Sequence, residues 1–270
     1  MTATALPSLK KIASNGQEIA WREAGQGDAL VLIHGIGGSS ASWPQQFADF
    51  SPTHRVVAWD APGYGGSSPL ATSPARVEAY AESLVAWLDA LDIRNASLVG
   101  HSLGSLFTAI VAARLRPDLV ERAVFLQPVT GNGQMQPDER EKVRQGRIRD
   151  METLGPQAFA EQRGRTILAR DIAPDIATHA IKVMADVPAK GYLAAWDAMC
   201  EGDIYPLLGD INCPVLVICG SEDPVSPQAT GRQIASRLKN PKFELLPGVG
   251  HYASIEAPDR LKAILADFLR

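Results

Sequence analysis

Apolar positions along the chain fall into two kinds of run, and their alternation predicts the architecture. Ala29-Leu30-Val31-Leu32-Ile33 is apolar throughout, as a strand must be when both of its faces are covered. Arg55 to Trp59, Ala96 to Val99, Arg122 to Leu126, Pro214 to Cys219 and Phe243 to Leu246 read as further strands. Between them, apolar residues recur at helical spacing. Val77, Tyr80, Leu84, Leu88 and Leu91 form one stripe on a helix over Pro74 to Leu91,. Leu103, Leu106, Phe107, Ile110, Val111 and Leu115 share one side of another,. Trp43 to Phe50 is a short helix, and Pro258 to Phe268 closes the chain as an amphipathic one. Ser226-Pro227 reads as an N-cap with proline at the first helical position, opening a helix to about Leu238,. Near the start, Leu9 to Ile12 and Glu18 to Glu23 flank Asn15-Gly16, a strong hairpin signal. Strands alternating with helices mean parallel βαβ units, with helices on both faces of the sheet. Ligands of such sheets bind beyond the carboxyl ends of the strands.

The pattern changes between residues 131 and 206. Asp138 to Asp150 is densely charged, and helical pieces are broken at Gly155-Pro156, Pro174 and Pro188. No strand-like run appears. The stretch reads as a helical insertion over the sheet, with an arginine-rich face turned to solvent. It holds Met135, Met151, Met184 and Met199, with Phe159, Tyr192 and Trp196. Two readings of that apolar set stand side by side: the insertion's own core, or an adaptable pocket wall.

Composition narrows the function classes. The 270 residues are 46% hydrophobic, enough for a sizeable core,. A net charge of -4 gives no basic footprint for nucleic acid or an anionic membrane,. No apolar run approaches the length of a membrane span, about 18 residues or more. Met1 to Lys11 lacks the basic start and apolar core of a secretory signal,. Cys200, Cys213 and Cys219 are odd in number and lack metal-ligand spacing,. They fit reduced thiols in a cytoplasmic protein. No metal or cofactor is expected.

The loops at the strand ends carry the candidate chemistry. His34-Gly35-Ile36-Gly37-Gly38 follows a buried strand, and its glycines let backbone N–H groups approach a ligand. Its spacing is neither that of a phosphate-binding P-loop nor that of a dinucleotide fingerprint. Gly100-His101-Ser102-Leu103-Gly104 is a Gly-x-Ser-x-Gly turn between a strand and a helix. The glycines spare collisions between the two legs, and the strained turn lifts the serine hydroxyl clear of the sheet. A serine needs a base within hydrogen-bond reach, and the base needs an orienting carboxylate. Of five histidines, His251 is best placed, in the loop after the last strand. His101 and His34 read as structural, and His54 and His179 have no supporting context. Asp223, after the Pro214 to Cys219 strand, is the first choice of carboxylate. Glu222 is second, and Asp203 and Asp210 are weaker. An oxyanion would be held by the N–H groups of Leu103 and Ile36.

These pieces together resemble the α/β-hydrolase superfamily over nearly the whole chain. The matching motifs are the His34 to Gly38 loop, Asp60-Ala61-Pro62-Gly63-Tyr64-Gly65-Gly66-Ser67, the Ser102 turn, Gly220-Ser221-Glu222-Asp223 and Gly250-His251, in the family's order. The resemblance implies an eight-stranded, mostly parallel sheet, a core formed by residues 1–130 and 207–270, and a helical cap at 131–206. It implies a triad of Ser102, Asp223 and His251. A serine at the turn argues against the aspartate-dependent haloalkane dehalogenases and epoxide hydrolases of the same fold. Pro247 to Pro258 looks like the 3-oxoadipate enol-lactonase and small carboxylesterase group. It is also similar to the meta-cleavage C–C bond hydrolases. Those often carry Gly-Pro-Gly after the first His-Gly and tryptophan after the catalytic histidine, where this chain has Gly37-Gly38-Ser39 and Tyr252. The expected function is hydrolysis of a small ester or lactone with an apolar portion, through an acyl group on Ser102. Cleavage of a C–C bond in a diketone or dienone is the alternative. A ligand-sensing protein that keeps the fold and triad is a third.

Overall fold

In the computed structural model, which describes residues 5–270, eight strands form one sheet. They are β1 (Leu9–Ser14), β2 (Gln17–Ala24), β3 (Ala29–Ile33), β4 (Arg55–Trp59), β5 (Ala96–His101), β6 (Val120–Leu126), β7 (Val215–Gly220) and β8 (Pro241–Leu246). The helices are α1 (Pro44–Phe50), α2 (Val77–Ala90), α3 (Gly104–Ile110), α4 (Pro137–Ile167), α5 (Pro174–Ala185), α6 (Ala189–Glu201), α7 (Tyr205–Leu208), α8 (Gln228–Ala235), α9 (Ala253–Glu256) and α10 (Pro258–Phe268). Part of Met1 to Lys11, read above for a secretory signal, lies outside the described residues.

The strand order is β1-β2-β4-β3-β5-β6-β7-β8. Only β2 runs against its neighbours, pairing antiparallel with β1 and β4. The hairpin forms at Asn15-Gly16, where both residues take the positive φ that its tight turn demands (46° and 77°),.

Side-chain alternation along the central strands builds a core on each face of the sheet. Val31 and Ile33 of β3 pack with Trp59, Tyr80, Leu84, Trp87 and Phe107 on the face covered by α2 and α3. Leu30 and Leu32 pack with Trp43, Phe47, Val99, Leu261 and Leu265 on the face covered by α1 and α10. Each such fully buried side chain contributes about 1.5–3 kcal/mol.

Elements β6 and β7 are joined by α4 to α7. Gly155, just before Pro156, leaves helical geometry (φ 71°, ψ 167°) and breaks α4, because the proline ring excludes the preceding turn and removes a donor. Pro174 stands in the first turn of α5, and Pro188 immediately precedes α6.

Strands β1, β2, β5, β6, β7 and β8 differ from their expected bounds by one or two residues at one or both ends, and three helix boundaries moved further. Helix α2 starts at Val77, three residues late. After Ile110 the helix widens into a π turn over Val111–Leu115. Helix α8 runs from Gln228 to Ala235, with Pro227 at its cap. Ser226 is not the N-cap: Pro227 holds that position without a side-chain cap bond, and the Ser226 hydroxyl is turned toward the end of β6, as described next.

Candidate active site

The carboxyl ends of β3, β5 and β7 and the loop after β8 converge on one cavity, and each supplies a functional group. Ser102 sits at φ 52° in the turn from β5 to α3, a region that costs a non-glycine residue about 1–2 kcal/mol. Close packing leaves no room to relax. A Cβ on Gly100 would overlap the Gly104 carbonyl, and one on Gly104 would overlap the carbonyl of Ile33. A Cβ on Gly35 would come within 2.8 Å of the Ser102 Cβ.

The residues expected to act together are brought together. His251 Nε2 lies 2.9 Å from Ser102 Oγ, and His251 Nδ1 lies 2.8 Å from Asp223 Oδ2. All three are buried. Asp223 Oδ1 accepts N–H bonds from Val225 (2.8 Å) and Ser226 (2.9 Å). Burial raises the Asp223 carboxyl pKa, but the adjacent His251 and these hydrogen bonds outweigh it and hold the group below its ordinary value,. The Ser226 hydroxyl donates to the Pro128 carbonyl (2.6 Å), tying this turn to the end of β6. Glu222, the second-choice carboxylate, is exposed and accepts the N–H of Arg170. Asp203 accepts from Tyr205 and Gln134, and Asp210 is exposed.

Two other histidines, His34 and His101, support the scaffold. His34 Nδ1 lies 2.8 Å from the Gly35 carbonyl, and its Nε2 accepts the N–H of Ala61. His101 Nε2 is 2.7 Å from the His251 carbonyl, across the turn from the serine hydroxyl. Burial, with His251 alongside, pushes His101 down to about 3, so it stays neutral,. His54 contacts Thr53, and His179 is exposed. Among the described residues, neither the Ile36 nor the Leu103 N–H has an acceptor within the protein. Both residues border the serine: Leu103 follows it, and Ile36 lines the same cavity.

Two positioning residues escaped sequence reasoning. The Glu256 carboxylate accepts the N–H groups of Gly250 (2.9 Å) and Tyr252 (2.8 Å), on either side of His251. It also accepts Ala169 N–H, just past the end of α4 (2.9 Å). Gln127, at φ 50°, donates to the Gly250 carbonyl and accepts from Ala253. An acid five residues beyond a loop histidine, at the end of the short helix α9, was the available signal for Glu256.

The apolar insertion residues divide between both earlier readings. Met151 and Phe159 pack in the core. Met184, Tyr192, Trp196 and Met199 line the cavity beside Ser102. The arginine-rich face is not simply solvated, which corrects the expectation. Arg144 binds Asp197 (3.1 Å) and Glu201, and Arg140 lies 3.4 Å from Glu201, tying α4 to α6. Arg147 turns inward to the cavity, as does Arg163. Among the described residues, no group of three or more His, Cys, Asp or Glu could hold a metal ion. No helix there is long and apolar enough to cross a membrane.

A mostly parallel, doubly covered sheet with a serine on its strand-to-helix elbow defines a hydrolase of the α/β class. The chain belongs to the alpha/beta hydrolase fold family, whose model matches residues 28–258, and it is a hydrolytic enzyme of that family. It is 30% identical over 263 residues to the (E)-2-((N-methylformamido)methylene)succinate hydrolase of Acinetobacter baylyi, covering 95% of each chain. To 3-oxoadipate enol-lactonase 2 of the same organism it is 28% identical, covering 90% of each. The crystal structure of the enol-lactonase from Burkholderia xenovorans superposes with a TM-score of 0.86 at 25% identity, covering 96% of this chain and 99% of that one.

Proposed function

We propose that the chain hydrolyses a small carboxylic ester or lactone through an acyl group carried on Ser102. The observation that carries this reading is the hydrogen-bonded line Ser102–His251–Asp223 beside two unengaged N–H groups. His251 takes the Ser102 proton as the hydroxyl oxygen attacks the carbonyl carbon. Asp223 holds the imidazole in the tautomer that leaves Nε2 free to accept. The Ile36 and Leu103 N–H groups hold the oxyanion, and losing one such donor costs about 3 kcal/mol in the barrier. His251 returns the proton to the leaving oxygen, and water then releases the acyl group by the same steps in reverse. Residues 131–206 act as a cap over the core formed by 1–130 and 207–270. Three free cysteines fit a reducing, cytoplasmic setting,.

The test compares wild type with Ser102→Ala on p-nitrophenyl butyrate, an enol lactone and a vinylogous diketone. The variant should fold normally and lose turnover of the first two. Full activity in Ser102→Ala overturns the reading. Turnover of the diketone alone would assign C–C cleavage instead. No turnover of any, with ligand-dependent capture of a partner, would mark a sensor.

A further inference from the structure

Two cations face the cavity beside Ser102 without an acid to neutralise them. Its other walls there are largely apolar, among them Ile36, Val129, Met184 and Trp196. Arg163 is half-buried, and its guanidinium makes no hydrogen bond or ion pair among the described residues. Arg147 donates to the Tyr192 hydroxyl (2.8 Å) and lies over the Trp196 ring at 4.7 Å. It too has no carboxylate partner.

Several partly buried arginines elsewhere in the chain are matched with acids, although Arg22 and Arg122 bond backbone carbonyls instead. Arg55 meets Glu23, Arg116 meets Asp89, and Arg144 meets Asp197. At the cavity the chain supplies none. The nearby Asp223 carboxylate is committed to His251. Asp150 borders an outer cavity that the two arginines also line, with no ion pair to either. Arg147 and Arg163 therefore form the partition between the inner cavity at Ser102 and the outer one.

Two guanidinium groups lining the same two cavities repel each other,. Burial and the charge of Arg147 together lower the Arg163 pKa,. Half-buried, unpaired charge is a standing cost. An anion placed between the forks would relieve both the repulsion and the lost hydration. A carboxylate suits them best, because its two oxygens match the planar donors of each fork.

We propose that the natural substrate carries a carboxylate, distinct from the carbonyl under attack, held by Arg147 and Arg163 while the scissile carbonyl lies at Ser102. The proposal rests on the reading of Ser102 as nucleophile. It extends that reading from an ester or lactone with an apolar portion to one with an anionic far end.

The probes are p-nitrophenyl hydrogen succinate, which is anionic, and its neutral methyl ester. Wild type should favour the anion in kcat/KM by about tenfold or more, the worth of one charge-assisted hydrogen bond. Arg163→Gln and Arg147→Gln should each raise KM for the anion by a similar factor and leave the methyl ester within about threefold. Equal rates on the two esters in wild type, or a preference that survives both substitutions, overturns the proposal. A second measurement needs no turnover. Calorimetry on Ser102→Ala should show succinamate binding tighter than succinamide, with the difference lost on adding Arg163→Gln. Equal binding of the two also overturns it. If neither ester is hydrolysed, the binding pair alone decides the carboxylate site.

Discussion

Burial of His101 beside the Ser102–His251–Asp223 line makes acid a direct threat to the folded state. An unfolded histidine protonates near 6.5, whereas folded His101 resists protonation down to about 3. Between those values the unfolded chain binds more protons than the folded one. Its stabilising effect is therefore complete above 6.5 and falls as pH drops toward 3. Burial shifts His34 in the same direction. Asp223 works lower down. Its carboxyl is held below 3.8, so its contribution is present above that value and is lost as pH falls through the folded one,. Urea midpoints at pH 7.5 and pH 5 should therefore differ, with the lower at pH 5. His101→Gln should narrow the gap, since its amide can donate to the His251 carbonyl without titrating.

The strand-turn-helix of β5, Ser102 and α3 was legible in the sequence because its requirements are local: an apolar run, two glycines and a helical stripe. The bounds of β3 were legible for a similar reason, since only a strand covered on both faces is apolar throughout, and β4 is apolar after its first residue, Arg55. What was missed depends on partners distant in the chain. Ser226 resembles a cap, yet Asp223 takes its N–H and Pro128 its hydroxyl. Glu256 resembles a surface acid until the end of α4 arrives beside it. Arg147 lies in a charged run, and only the fold turns it inward. Glycines show the same division. Gly104→Ala places a Cβ into the Ile33 carbonyl and should cost about 3 kcal/mol or more,. Gly146, in α4, has open space at its Cβ position, and Gly146→Ala should stabilise by about 0.5–1 kcal/mol,. Thermal midpoints of the two variants, moving in opposite directions, check the pair.

At the scale of the whole molecule, the insertion and the sheet meet at the loop that bears His251. The His251 N–H donates to the Ile167 carbonyl at the end of α4 (2.8 Å). A Cβ on Gly250 would lie 2.5 Å from the Ala169 nitrogen. Glu256 spans the same junction, bonding both bodies at once. Glu256→Gln weakens these bonds without touching the cavity. It should lower kcat by about tenfold with KM little changed, and reduce stability by about 1–2 kcal/mol. Steady-state kinetics with a thermal melt separate the two effects.

The Ile167–His251 and Ala169–Glu256 bonds make an interlock. Displacing the end of α4 must break both of them. The His251 ring answers to Asp223, but the height of its backbone is set by a helix more than eighty residues away in the chain.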